Sequence, residues 1–236
     1  MDSVLPFLVM IAVVAVIAVF ALLAFVLRRI LRSRKAAQWS DWARENGWEY
    51  AEDRPDMIGI LATALNPQRY KVQHVLSRTY RGRWVFTYEH LERVPHRSDG
   101  SHGTRYRRAV AVTLPAPAPK LGIGPETGAI SMEDVLDLAG SSILEMGRPS
   151  FDAACRVTAA DEDFARAVLT PEVMDRLIAR HEHGRPPVRF NGHYLAAAEE
   201  GRLQPDEALR VADELIDLLE AVPGQVWHGG AARTDT

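Results

Sequence analysis

The chain opens with a stretch that lacks any alternation of polar and apolar side chains. Residues 4–27 read VLPFLVMIAVVAVIAVFALLAFVL, without one charged or strongly polar side chain. At about 1.5 Å per helical residue such a run spans roughly 36 Å. That is enough to cross a hydrocarbon core of about 30 Å with some tilt. In lipid every backbone N–H needs a partner inside the segment, so the run is expected to be helical. Pro6 falls in the first turn, where a missing N–H is tolerated. A cleaved signal peptide wants a basic start, a shorter apolar core and a small-x-small site. Here Met1, Asp2 and Ser3 precede the run and Arg28-Arg29 follow it. A helix of a soluble core is rarely apolar on every face over this length. The pattern predicts an uncleaved transmembrane anchor with a basic stop, spanning residues 1–35.

Beyond Lys35 the pattern becomes periodic. Trp39, Trp42 and Ala43 fall at helical spacing and Gly47 suits a helix end, predicting a short amphipathic juxtamembrane helix over 36–48. Residues 70–80 and 84–91 read as two strands joined at Arg81-Gly82, with Trp84, Phe86 and Tyr88 alternating onto one face. A polar, glycine-containing loop over 95–103 leads to a third strand over 106–114. Sequential strands with short or polar connections predict an antiparallel meander. Pro115, Pro117 and Pro119 are expected to end the third strand and impose an extended linker.

The second half mixes strands and helices. Ser131-Met132-Glu133-Asp134 has the form of a capping box, and residues 151–158 place Phe151, Ala153, Cys155 and Val157 on one face of a strand. Asp161 caps a helix containing Phe164, Ala167 and Val168. Thr170-Pro171-Glu172 opens another, with Val173, Met174, Leu177 and Ile178 as its buried stripe. Residues 188–195 surround Asn191-Gly192, a pair suited to a two-residue hairpin turn. Pro205 opens a last helix carrying Leu209, Ala212, Leu215, Ile216 and Leu219, and Pro223-Gly224 ends it before a flexible tail over 225–236. Strands first and mixed elements afterwards predict an α+β domain over 49–224: an antiparallel sheet with packed helices.

Charge adds direction to this picture. Arg28, Arg29, Arg32, Arg34 and Lys35 crowd one side of the apolar run, against Asp2 and the terminal amine on the other. The positive-inside rule then places the N-terminus outside and the folded domain in the cytoplasm, as a single-pass protein of the cell membrane. These five residues, with Trp39 and Trp42, are the expected membrane-interface residues. Cys155 is the sole cysteine, so no intrachain disulfide is possible, in keeping with a reducing compartment. A formal net charge of −3 argues against a dedicated nucleic-acid binder. Basic residues dominate between Arg69 and Arg108, and acidic ones between Glu133 and Glu220. Two mutually attracting faces of one domain, or a basic face toward an anionic leaflet, explain that division. Arg78, Arg81, Arg83, Arg105, Arg107 and Arg108 would bind a phosphate-bearing ligand if they converged on one pocket.

Reactive constellations are otherwise weak. His90, His96 and His102 span a loop, and His181-Glu182-His183 sits at a helix end; neither spacing matches a metal motif, so no metal is expected. Asp161-Glu162-Asp163 is what a helix N-terminus prefers. Gly122-Ile123-Gly124 and Gly100-Ser101-His102-Gly103 do not continue as phosphate loops, and no cofactor is expected. Ser141-Ser142 lacks a nucleophile elbow. Cys155 falls on an inward strand face, as a core residue does. No catalytic residue is assigned.

Residues 151–161 (FDAACRVTAAD), Phe164 to Pro171 (FARAVLTP), Met174 and Leu177, with the apolar N-terminal helix and the Trp-rich segment ending Asn46-Gly47-Trp48, resemble an uncharacterised family of bacterial membrane-anchored proteins. The resemblance covers most of the chain, but its motifs are caps, a proline start and core positions. It therefore implies an architecture and no reaction. The resulting expectation is a membrane-tethered cytoplasmic module that binds another protein or the inner membrane surface. The alternative is a small-ligand or phosphate-binding sensor, or a divergent hydrolase, using the six arginines.

Overall fold

The computed structural model describes residues 4–57, 70–95, 102–126 and 140–228, with the side chains of 4–15, 24, 28–33, 70, 92–95 and 102 excepted. The chain divides into two compact units, Met1–Asn46 and Gly47–Thr236. The first unit is one helix, α1 (Val4–Glu45). The amphipathic helix expected over 36–48 is not separate: residues 36–45 are the last turns of α1, and 46–48 lie beyond its end. No proline or glycine stands between Leu27 and Glu45, and good helix formers such as Arg, Leu, Lys and Ala carry the helix through. Among the described residues no helix is long and apolar enough to cross a membrane. Within the run 4–27 the described side chains, at 16–23 and 25–27, are all exposed.

The second unit is α+β. Among the described residues seven strands form one antiparallel sheet: β1 (Glu49–Asp53), β2 (Tyr70–Tyr80), β3 (Arg83–Pro95), β4 (His102–Pro125), β5 (Ser142–Leu144), β6 (Cys155–Ala159) and β7 (Val188–Glu200). The β2–β3 turn is the expected one. Arg81 and Gly82 both take positive φ, 48° and 73°, as a two-residue turn matching the strand twist requires.

β4 is the spine of the sheet and runs well past its expected end. Residues 102–112 pair with β3, residues 121–125 pair with β6, and β7 pairs along both stretches. Pro115, Pro117 and Pro119 lie between the two pairings, where register is irregular. Residues two apart direct their amides to one side, and there that side has no ladder partner among the described residues. The missing donors cost nothing, so the strand survives its prolines.

Two further expectations fail for related reasons. Asn191-Gly192 does not turn the chain. β7 continues through it, and Gly192, at φ 55°, sits opposite Ala118 where the register shifts. Positive φ is used for a bulge instead of a hairpin. Phe151 lies not on a strand but on α2 (Pro149–Asp152). The Asp152 carboxylate accepts the backbone N–H groups of Met146 (2.9 Å) and Arg148 (3.0 Å), which curls the segment. Phe151 is buried all the same.

The helix caps follow expectation. Asp161 accepts the Phe164 N–H (2.9 Å) at the start of α3 (Glu162–Val168), and Thr170 accepts the Val173 N–H (3.4 Å) at the start of α4 (Pro171–Glu182). In α4 Val173, Met174 and Leu177 are buried, whereas Ile178 is half-buried and Arg180 is buried in its place. The last helix is α5 (Pro205–Glu220). Gln225 to Trp227, the start of the expected flexible tail, form a 3-10 turn with Gly224, and Trp227 meets Phe164 edge-on at 6.3 Å. The predicted capping box at 131–134, His96 and the residues after 228 lie outside the described residues.

The sheet has a core on each face. On one, Met57, Val72, Val75, Phe86, Tyr88, Ala109, Ala111 and Ala196 form a continuous cluster. On the other, Thr87, Val110 and Ala197 meet Ala208 and Val211 of α5. α4 packs beside α5 and against β6.

Candidate functional site

The six candidate arginines are not brought together. Strand alternation and the register put Arg105 and Arg107 on the face of Ala109 and Tyr88, and Arg78, Arg83 and Arg108 on the face covered by α5. Arg81 is at the β2–β3 turn. Most are also engaged. Arg81 meets Asp213 (3.1 Å), Asp217 (2.7 Å) and Glu220 (3.0 Å) of α5. Arg108 meets Glu199 (2.7 Å) and Glu207 (2.7 Å) and donates to Gln204. Arg105 lies 3.6 Å from Glu200, and Arg83 donates to the Thr113 carbonyl (3.0 Å). Arg78 stacks over Trp48, 5.5 Å from its ring centre. The basic and acidic blocks of the sequence thus meet one another across the fold.

The membrane-interface candidates fall in the first unit. Arg34 is exposed, Lys35 half-buried, and Trp39 and Trp42 form an edge-on pair at 6.3 Å. The side chains of Arg28, Arg29 and Arg32 lie outside the described residues.

The described histidines do not assemble. His90 is buried across the ladder from Arg107; burial first, then that guanidinium, pushes its pKa down to about 4. His181 is also held below its ordinary value, by burial and then Arg180, while His183 Nδ1 lies 2.6 Å from the Ala179 carbonyl. No group of three or more His, Cys, Asp or Glu among the described residues is placed to hold a metal ion. Cys155 is buried and its thiol is pushed up to about 12 by burial, then by Asp152.

A cluster that sequence spacing does not reveal sits between α4 and α5. Glu214 of α5 is held by three guanidiniums: Arg180, Arg185 (3.0 Å) and Arg210 (2.9 Å). Arg180 is buried, donates to the Pro186 carbonyl (3.3 Å), and is drawn below the usual guanidinium range by burial. Beside it opens a cleft of about 260 Å³ lined by Arg176, Arg180, His183, Arg185, Glu214 and Asp217, with Ala179 and Leu218. The local signal was faint: arginines at 176 and 180 are one helical turn apart, but Glu214 is 34 residues beyond Arg180.

No family model matches the chain, and no curated protein matches it. Among solved structures it is similar to the crystal structure of the mycobacterial trehalose monomycolate transport factor A, TtfA. The likeness has a TM-score of 0.52 at 15% identity and covers 80% of this chain and 96% of that one. At that identity it shows a shared fold.

Proposed function

We propose that the chain is a single-pass membrane protein of the cell membrane whose Gly47–Thr236 unit is a cytoplasmic interaction module, without catalysis of its own. One observation carries the anchor. The described side chains at 16–23 and 25–27 are exposed and apolar around the whole helix, with Ile17 at 62% and Phe20 at 68%. A soluble protein rarely leaves such a surface to water; hydrocarbon removes the cost. The five basic residues that follow support an outside N-terminus and a cytoplasmic domain.

The module reading is supported by two further facts. Cys155, the sole thiol, is buried and held protonated. The fold is similar to that of a protein named as a transport factor. By that analogy, this domain would serve another membrane component, with the bilayer and a second protein as its partners.

The test is fractionation and topology together. Full-length protein is expected to stay in the membrane pellet under alkaline carbonate and to leave it in detergent. A reporter fused after Thr236 is expected to be active only as a cytoplasmic enzyme. Carbonate extraction sinks the anchor, and activity of an exported reporter at that position sinks the orientation. Crosslinking of the full chain in its native membrane should trap a protein partner. Clean monomer under those conditions removes the module reading.

A further inference from the structure

We propose that the cleft between α4 and α5 binds an oxyanion, a phosphate or carboxylate group on a compact ligand, through Arg176, Arg180 and Arg185. The inference goes beyond the interaction module above, and none of the six sheet arginines lines the cleft.

The charge at the cleft is the first reason. Its two acids are already engaged from outside it. Glu214 takes a hydrogen bond from Arg210 (2.9 Å), and Asp217 takes one from Arg81 (2.7 Å); neither arginine lines the cleft. The three guanidiniums that do line it share what remains. Arg180 and Arg185 both point at Glu214, and Arg176 spends its donors on Glu172 (2.9 Å) and the Asp217 carbonyl (3.0 Å). Positive charge therefore exceeds negative at the lining.

The second reason is an unspent donor. Arg180 is more than nine-tenths buried, yet its Nε–H has no acceptor among the described residues. A buried guanidinium N–H without an acceptor is costly; this one has no exposed surface, so a small shift of the Arg180 side chain would be needed to bring it to an oxygen in the cleft. Planar guanidiniums suit such oxygens, since each offers parallel N–H donors to two of them. Ala179 and Leu218 give the cleft an apolar patch. Its volume of about 260 Å³ lies just below the usual range for small-molecule sites, which fits a compact ligand.

The experiment uses full-length protein in detergent, titrated with inorganic phosphate and followed by calorimetry and thermal shift. Saturable binding is expected, weakened by added chloride. It should fall about tenfold in the R176Q/R185Q double variant, as loss of charge-assisted hydrogen bonds implies. Arg176 and Arg185 are partly exposed, so this variant avoids the folding risk of changing Arg180. Arg105→Gln, outside the cleft, should bind as the parent does. Glu214→Gln keeps the shape and removes the competing acid, so its affinity should rise; a merely structural ion-pair cluster would not show that gain.

Reconstituted vesicles distinguish the source. If phosphatidylglycerol vesicles displace phosphate and phosphatidylcholine vesicles do not, the oxyanion is a lipid headgroup. If neither displaces it, the ligand is soluble; both outcomes keep the site. Absence of saturation up to the solubility limit of phosphate overturns the proposal. So does undiminished binding in R176Q/R185Q, or weaker binding in a folded Glu214→Gln chain.

Discussion

Glu89 shows how far a single side chain can depart from its usual place. It has no exposed surface, and its carboxylate accepts from the Leu203 N–H (3.2 Å), Gln73 Nε2 (3.1 Å) and Arg202 Nη1 (3.3 Å). Glutamate is seldom buried unless it is fully partnered. Glu89→Gln would turn an amide N–H toward at least one of these donors. The expected loss is about 2 kcal/mol, within the range for an unmet buried hydrogen bond, read as a lower urea midpoint at unchanged slope. Its neighbour His90 carries a pH effect. The folded pKa lies near 4 against an ordinary 6.5, so between those values the unfolded chain holds more protons. The contribution of neutral His90 is thus complete above about pH 6.5 and is lost as pH falls toward 4. Urea midpoints of the parent should drop from pH 7 to pH 5 more than those of His90→Gln. Equal drops would assign the acid sensitivity elsewhere. The burial of neither residue could be read from the sequence, because burial of a strand position depends on what packs over it.

Elements were legible where short-range chemistry decides them. Asp161 and Thr170-Pro171 announce their helices within four residues, and the helices begin there. Thr170→Ala should cost about 1 kcal/mol or less, since its bond to the Val173 N–H is long at 3.4 Å. Long-range pairing decided the elements that were misread. Asn191-Gly192 has the chemistry of a tight turn, but β4 runs alongside on both sides of it and turns its positive φ into a bulge. Gly192→Ala should therefore destabilise by roughly 1–2 kcal/mol through backbone strain alone. No atom stands within 4 Å of a Cβ there, so larger residues should cost little more. A loss that grows steeply with side-chain size in urea melts would contradict that account. The prolines of β4 teach the same point: an edge without a partner tolerates what a paired strand would not.

At the scale of the molecule, charge along the chain and charge in space proved different quantities. The six candidate arginines lie within 31 residues of sequence, but the acid partners of Arg81, Arg105 and Arg108 lie on α5 and β7 more than ninety residues away. The fold disperses the six and gathers Arg180, Arg185 and Arg210 around Glu214 instead, with Arg176 lining the same cleft. The N-terminal anchor proposed above is the one place where linear order would suffice, because orientation in a bilayer responds to charges counted beside a spanning run. Arg28, Arg29, Arg32, Arg34 and Lys35 follow the apolar run, and Asp2 stands before it. Replacing all five by Ser, and adding three lysines before Val4, reverses the bias while leaving the Gly47–Thr236 unit unchanged. A reporter after Thr236 is then expected to shift from cytoplasmic to exported activity in a measurable fraction of molecules. The fraction should rise as lysines are added one by one, because each flanking charge contributes separately. A reporter that stays wholly cytoplasmic throughout the series would mean that the folded domain, not the flanking charge, holds the orientation.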